Sequence, residues 1–552
     1  MDYFDLGTYG RKVTTASEDA QTWFDRGLNW LYGFNHEEAI KCFERAGAAD
    51  PNCAMAWWGA SYAAGPNYNL PWHRYDPKGR AKTLQASYDF MQKALAVISS
   101  ASPLEAELIR ALEIRYRDGK VPEDPKEMNS WNADYTNRMR EIHKANPADM
   151  DIRSVFVESI MNETPWMMWD VDSGGIPENA GTAEAMQVLE EAFANQPESW
   201  GCPGLLHLYV HLMEMSPFPE RALRHGDVLR TLVPDAGHLV HMPTHLDVLC
   251  GHYHNVLVYN QDGVAADNRY FDNGGQPGVY TMYRTHNMHF AVYGAMFLGQ
   301  YTPAMEAAQM IIDTTPEDLL RVESPPMADF LESYLSMKWH VMIRFGRWQQ
   351  IIDEPLPEDQ ELYAGTTAVA YYAKGVAHSA LGNVAEAEAT RTAFLDARAR
   401  VPEGRRIHNN VMSDILGVAE SMLDGELEYR KANYDVAYDH LREAVRREDT
   451  LLYDEPWGWM QPARHALGAL LLEQGHVEEA ESVYRADLGL DGTLSRSSQH
   501  PENVWALHGL HECLSRRGAA ENAFMIKQRL DLALARAEMP IRASCLCRRE
   551  AA

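Results

Sequence analysis

The stretch DAQTWFDRGLNWLYGFNHEEAIKCFERAGAADPN, from Asp19 to Asn52, decides the fold. Gly27, Trp30, Ala39, Phe43, Ala46 and Pro51 stand at the offsets of a helical hairpin with a period of about 34 residues. Gly27 and Ala39 are small enough to let two antiparallel helices approach closely, and Trp30 and Phe43 fill the space beside them. Pro51 interrupts the second helix before a third begins. A hairpin of this kind cannot bury its apolar face alone, so neighbours of the same design are expected along the chain.

They recur outward from it. Asn287 to Thr315 carries Gly294, Phe297 and Ala307; Thr367 to Ala399 carries Gly375, His378 and Ala387. Pro462 to Leu488 has Gly468, Leu471, Ala480 and Tyr484, and Trp505 to Ala537 opens a further pair with Gly509. The tokens FNHEEA, LGNVAEAE and EQGHVEEAE are short turns between antiparallel helices, and no block shows the period-two alternation of strands. The expected fold is all-α, an α-solenoid of about eight or nine tetratricopeptide-type hairpins. It is read as one superhelix over 1–552, with its first clear repeat at 19–64, a histidine-rich core at 200–300 and repeats with a Cys-x-Cys tail over 360–540.

Three inserts break the repeat: Gly65–Arg80, Trp169–Gly181 and Tyr270–Tyr280, all rich in Gly, Pro and Asn. A plain scaffold has little use for them, whereas loops lining a central pocket do. The net charge of -29, from 79 acidic against 50 basic residues, argues against nucleic acid and anionic membranes as partners. No signal segment or membrane span is visible, and seven scattered cysteines fit a cytoplasmic setting. Cys545 and Cys547 stand apart as two thiols on a mobile tail, a metal clasp or a labile disulfide.

The chemistry lies in three histidine segments. In LLHLYVHLMEMSP, His207, His211 and Glu214 are spaced i, i+4, i+7. On a helix they fall at roughly 0°, 40° and -20°, one narrow stripe. In DAGHLVHMPTHLDVLCGHYH, His238, His241 and His245 share a face interrupted by Pro243, which biases Met242 away from helix and kinks or restarts it. His252 and His254 follow after Gly251 and rank below them. YRTHNMHFAVYGA supplies His286 and His289. Paired histidines in successive hairpins are hard to explain as packing, because each buried imidazole needs a polar partner.

Seven imidazoles and one carboxylate exceed the three protein ligands of an ordinary catalytic ion, so one or two ions are expected, with Glu214 and His238 also able to act as acid or base. Imidazole-rich donors suit copper first, then iron or zinc. The reading that follows is a metal-dependent oxidase or oxygenase acting on a small organic molecule. The alternatives are a zinc hydrolase or lyase with Glu214 as base, and a scaffold binding a protein partner. Asn67, Asn69, Trp166, Trp169, Tyr283, Tyr453, Glu455 and Trp457 are candidate substrate contacts. No phosphate loop, Gly-x-Ser-x-Gly elbow or dinucleotide fingerprint is present.

The motifs GPNYNLP, HLYVHLMEMSPFPERAL, PDAGHLVHMPTH, YRTHNMHF, LYDEPWGW, PENVWALHGL and ASCLCR span almost the whole chain. In them it resembles a family of tetratricopeptide-repeat proteins found as free-standing reading frames, chiefly in bacteria and some fungi. The resemblance implies the repeat fold and the His and Glu positions, and no reaction. TPWMMWDVDSG, residues 164–174, departs from the family in being more aromatic with longer polar flanks, so the resemblance implies no substrate.

Overall fold

The computed structural model describes residues 3–549; positions 1, 2 and 550–552 of the expected array lie outside them. Two compact units emerge, one formed by Met1–Leu246 with Asp262–Tyr280 and the other by Asp247–Gln261 with Thr281–Ala552. Among the described residues the regular secondary structure is all helical except one minimal antiparallel pair, β1 (Arg406–Ile407) and β2 (Asn410–Val411), and two isolated bridges.

The first unit opens with α1 (Glu18–Tyr32), α2 (His36–Ala49), α3 (Ala54–Ala64), α4 (Pro77–Ala96), α5 (Pro103–Tyr116), α6 (Glu127–Ala145) and α7 (Met150–Met161). It continues through α8 (Thr182–Asn195), α9 (Pro203–Glu214), α10 (Leu223–Leu232) and the short α11 (Gly237–His241). α12 (Pro243–Leu249) and α13 (Tyr253–Asp272) run through both units. Most of the hairpin helices pack chiefly on their neighbours in sequence, the signature of a solenoid. α1 starts where the Ser17 side chain accepts the Ala20 N–H, and α2 where Asn35 accepts that of Glu38.

The second unit contains α14 (Tyr280–Leu298), α15 (Tyr301–Asp313), α16 (Glu317–Leu320), α17 (Met327–Leu331), α18 (Met337–Arg344) and α19 (Trp348–Asp353). It ends in four hairpin pairs: α20 (Ala364–Leu381) with α21 (Val384–Arg398), and α22 (Met412–Arg430) with α23 (Tyr434–Asp449). α24 (Ala463–Glu473) pairs with α25 (Val477–Asp487), and α26 (Val504–Arg516) with α27 (Ala520–Leu534). The pair α22–α23 is one that the repeat tokens did not reveal.

The small–large spacing has a direct physical meaning. The Phe43 ring on α2 lies between Gly27 and Gly59, where a Cβ would stand 2.7 and 2.6 Å from ring carbons. Tyr484 on α25 repeats the arrangement between Gly468 and Gly509, with 2.4 and 2.2 Å. One aromatic thus fills the gap between the first helices of two successive hairpins. Gly509→Ala is expected to cost about 1–3 kcal/mol by overpacking, read as a lower urea midpoint with the helical signal retained.

Burial pushes His36 in the first unit, and His340 and His465 in the second, down to about 4. An unfolded histidine titrates near ~6.5. Between those values the unfolded chain binds more protons than the folded one, so stability falls as pH falls. Urea midpoints are expected to drop steadily from about pH 6.5 to about pH 4, well before carboxylates are neutralised.

Candidate metal centre

α9 is largely apolar and its twelve residues are all buried, as expected of a helix enclosed by its neighbours. His207, His211 and Glu214 are therefore removed from water together. His207 Nδ1 lies 2.7 Å from the Tyr32 carbonyl oxygen. A carbonyl only accepts, so Nδ1 carries the proton and Nε2 presents a lone pair. His211 Nδ1 donates to Glu214 Oε1 at 3.0 Å, and the other carboxylate oxygen lies 3.1 Å from His245 Nδ1. Glu214 thus sits behind two rings and turns their Nε2 atoms outward, the carboxylate–imidazole pairing that orients metal ligands.

The second segment folds as two short helices that meet at Met242. Contrary to the expected bias, Met242 keeps right-handed helical torsions (φ -50°, ψ -41°). The break comes from Pro243, which has no N–H to continue the hydrogen-bond ladder. Gly237 lets α11 approach α13 closely, for a Cβ there would lie 2.2 Å from Asp267 Oδ1. This seats His238 with its Nε2 3.2 Å from His207 Nε2, while His241 and His245 place their Nε2 atoms 2.9 Å apart.

One ring nitrogen each from His207, His211 and His238 lie within 4.8 Å of one another, and all three side chains are buried. Metal–nitrogen bonds of about 2.0–2.1 Å set neighbouring donors ~2.9 Å apart at right angles and ~3.3 Å apart at the tetrahedral angle. The His207–His238 spacing of 3.2 Å and the separate His241–His245 spacing of 2.9 Å fall near these values. N–H···N hydrogen bonds have similar lengths, but they leave His211 Nε2 buried with no hydrogen-bond partner. Burial first, then the neighbouring imidazoles, hold His207 and His238 well below the usual histidine range, so both are neutral donors at physiological pH. Burial alone raises the Glu214 carboxyl; His211 and His245 outweigh it and hold the group low, at about 2.

Aromatic rings enclose the histidines. Phe34 stacks on His211 and His238 at 5.7 and 5.4 Å between ring centres. Tyr68, from the first insert, lies 5.1 Å from His211, and Trp166 lies 6.2 Å from it. Phe34 and Trp166 both have left-handed backbones, at φ 54° and 62°. Such strain in bulky residues costs about 1–3 kcal/mol each and concentrates at functional sites. The histidine spacing gives no hint of Phe34 or Tyr68, although Tyr68 lies inside GPNYNLP.

The other candidates have local work. Asn67 Oδ1 closes its own loop by accepting the N–H groups of Asn69 and Leu70, both at 2.9 Å, and its amide lies 3.2 Å from His36 Nδ1. Trp169 donates its indole N–H to the Leu212 carbonyl at 2.7 Å and so ties its loop to α9. A cleft of about 1160 Å3 elsewhere in the first unit is lined by Tyr9–Ala16, Glu105 and Asp149–Asp151, and by none of these histidines.

In the second unit, His289 Nε2 is 3.0 Å from Met460 Sδ, and His286 stacks on His408 at 5.2 Å. Tyr283 is half-buried on α14. Tyr453 donates to Glu455, and Trp457 donates to the Ser497 carbonyl at 2.6 Å. His252 faces Asp247 at 3.2 Å, and both it and His254 line a cleft of about 470 Å3 with Glu502, Arg529 and Arg536.

No protein-family model matches the sequence, and no curated protein matches it. Among solved structures, the chain is similar over 94% of its length to 98% of yeast Tom70, at 12% identity and a TM-score of 0.29. A monomeric mutant of IFIT1 with m7Gppp-AAAA is matched over 94% of this chain and 96% of that one, at 12% identity and 0.32. Naa15/Naa10 bound to HypK is matched over 93% and 70%, at 11% identity and 0.22. Overlaps this low carry no argument about function. The class rests on the molecule itself, an all-α protein of stacked helical hairpins. No described helix is long and apolar enough to cross a membrane.

Proposed function

We propose that the first unit is a transition-metal oxidoreductase acting on a small organic molecule. His207, His211 and His238 hold one ion, and His241 and His245 offer donors for a second. The observation that carries this reading is His211 Nε2, a buried nitrogen without a hydrogen-bond partner grouped with a ring nitrogen each from His207 and His238. Three histidines leave a coordination position open, as catalytic centres require. Imidazole donors without a carboxylate favour copper, with iron or zinc behind it. The bound ion would supply activation of dioxygen or of the substrate; Tyr68, from the first insert, and Trp166, just before the second, form the wall on which the substrate packs.

Glu214 weighs against the zinc hydrolase. Both its oxygens face imidazoles and its carboxyl is held low, which makes it a poor base for activating water. Elemental analysis of protein made without a histidine tag, with visible and paramagnetic spectra, tests the proposal. At least one equivalent of copper or iron supports it. Colourless, silent, zinc-loaded protein replaces the redox reading with the hydrolytic one, and metal-free protein removes both.

A further inference from the structure

The segment after α27 does not hang free. It lies along α20, α22, α24 and α26, the first helices of the four closing hairpins. The Ser544 hydroxyl donates to the His465 carbonyl at 2.8 Å and meets the Tyr484 hydroxyl at 2.5 Å. Arg344 reaches the Ser544 carbonyl at 3.2 Å, Arg430 donates to that of Cys547, and Arg548 pairs with Glu512 at 2.8 Å. A mobile tail is thereby corrected to a docked one: Ala543, Ser544, Cys547 and Arg548 are all buried.

Cys545 and Cys547 are joined by a disulfide. Beside them stands Glu426 on α22, 1% exposed, whose Oε2 has no hydrogen-bond partner and is ion-paired with Arg430 at 3.6 Å. Both sulfurs and a carboxylate oxygen of Glu426 lie within 4.8 Å of one another. Neighbouring donors in a tetrahedral zinc site with two sulfurs and an oxygen are ~3.6–3.8 Å apart, inside that span.

We propose that Cys545, Cys547 and Glu426 form, once the disulfide is reduced, a binding site for a thiophilic divalent cation such as zinc. Two equivalents of an external thiol deliver two electrons and two protons to the S–S bond, leaving two thiols and an oxidised reductant. The cation then displaces two protons and is held by two thiolates and the carboxylate. Charge balances locally, because two thiolates, one carboxylate, one dication and the Arg430 guanidinium sum to zero. The Cys547 N–H already points at Cys545 Sγ at 3.2 Å, a contact that stabilises a thiolate. The docked backbone keeps both cysteines beside Glu426, reduction frees the two sulfurs to part to ligand spacing, and half-exposed Cys545 leaves a fourth position to water.

The test uses the full chain, reduced under nitrogen and titrated with cobalt(II). A sulfur-to-cobalt charge-transfer band in the near ultraviolet, which imidazole ligands do not give, is expected to saturate at one equivalent and to vanish on reoxidation. Cys545→Ser is expected to abolish it, and Glu426→Gln to weaken binding at least about tenfold with the band retained. Absence of the band in reduced wild-type protein overturns the proposal. So does its survival in Cys545→Ser, which would place it on Cys42, Cys53, Cys202, Cys250 or Cys513. Unchanged circular dichroism and cobalt binding elsewhere confirm that the variants fold.

Discussion

With His211 replaced by alanine, untagged protein is expected to leave purification with less than about a tenth of the metal of the parent. The ring is central to the proposed centre: its Nδ1 is held by Glu214 and its Nε2 has no other function that the packing reveals. Removing a mere orienting partner of a metal ligand costs ~10–100-fold in affinity, and removing a ligand costs at least as much. Glu214→Gln is the matched comparison. It keeps the shape but offers an amide N–H to one of two imidazole N–H groups, so His211 or His245 must turn or lose its proton position. Metal is then expected to bind more weakly, by about 10–100-fold, with the same spectrum. Full metal content in His211→Ala would leave the histidines as a polar packing network.

The second large effect is expected in the other unit, at a carboxylate the histidine pattern does not point to. Asp487 is fully buried and accepts from His465 Nε2 at 2.9 Å, His500 Nδ1 at 2.8 Å and the Asn503 amide at 3.0 Å. His465 Nδ1 in turn receives Arg344 at 2.9 Å, which fixes its tautomer. Burial raises the Asp487 carboxyl, but the two histidines overwhelm it and hold the group far below the usual range. Asp487→Ala leaves the Arg344 charge without its counter-ion and strands two imidazole N–H groups. Breaking a buried pair in this way costs about 3–5 kcal/mol. Hydrogen exchange is expected to accelerate in α24, α25 and α26, with the metal content of the first unit unchanged. Wild-type protection in those helices would show that water or relaxation replaces the lost partner.

The sequence revealed what periodicity encodes. Gly27 and Phe43 fall a fixed distance apart, so their contact across one hairpin was readable, and the same holds for Gly468 and Tyr484. His207, His211 and Glu214 share a stripe because a helix returns to the same face at those intervals. That Glu214 would meet His245 from the next segment was not readable, since it depends on where a proline-interrupted pair of short helices comes to rest. Phe34 and Tyr68 were missed for a related reason: both lie in loops, and Phe34 takes a backbone conformation uncommon for an aromatic residue. The Asp487 network draws on positions 344, 465, 487, 500 and 503, which share no period. Nor was it readable that the Trp169 indole N–H would donate to the Leu212 carbonyl on α9, a contact between a loop and a helix that no period encodes.

The docked segment around Ser544 bears on how the molecule comes into being. Synthesis runs from one end of a chain to the other, at about 5–20 residues per second, and all four closing hairpins are made before that segment. Until it arrives, Arg344 lacks the Ser544 carbonyl and the His465 carbonyl lacks the Ser544 hydroxyl, so these contacts can form only after the hairpins they join. Synthesis in this order places the lining last, after the helices it covers.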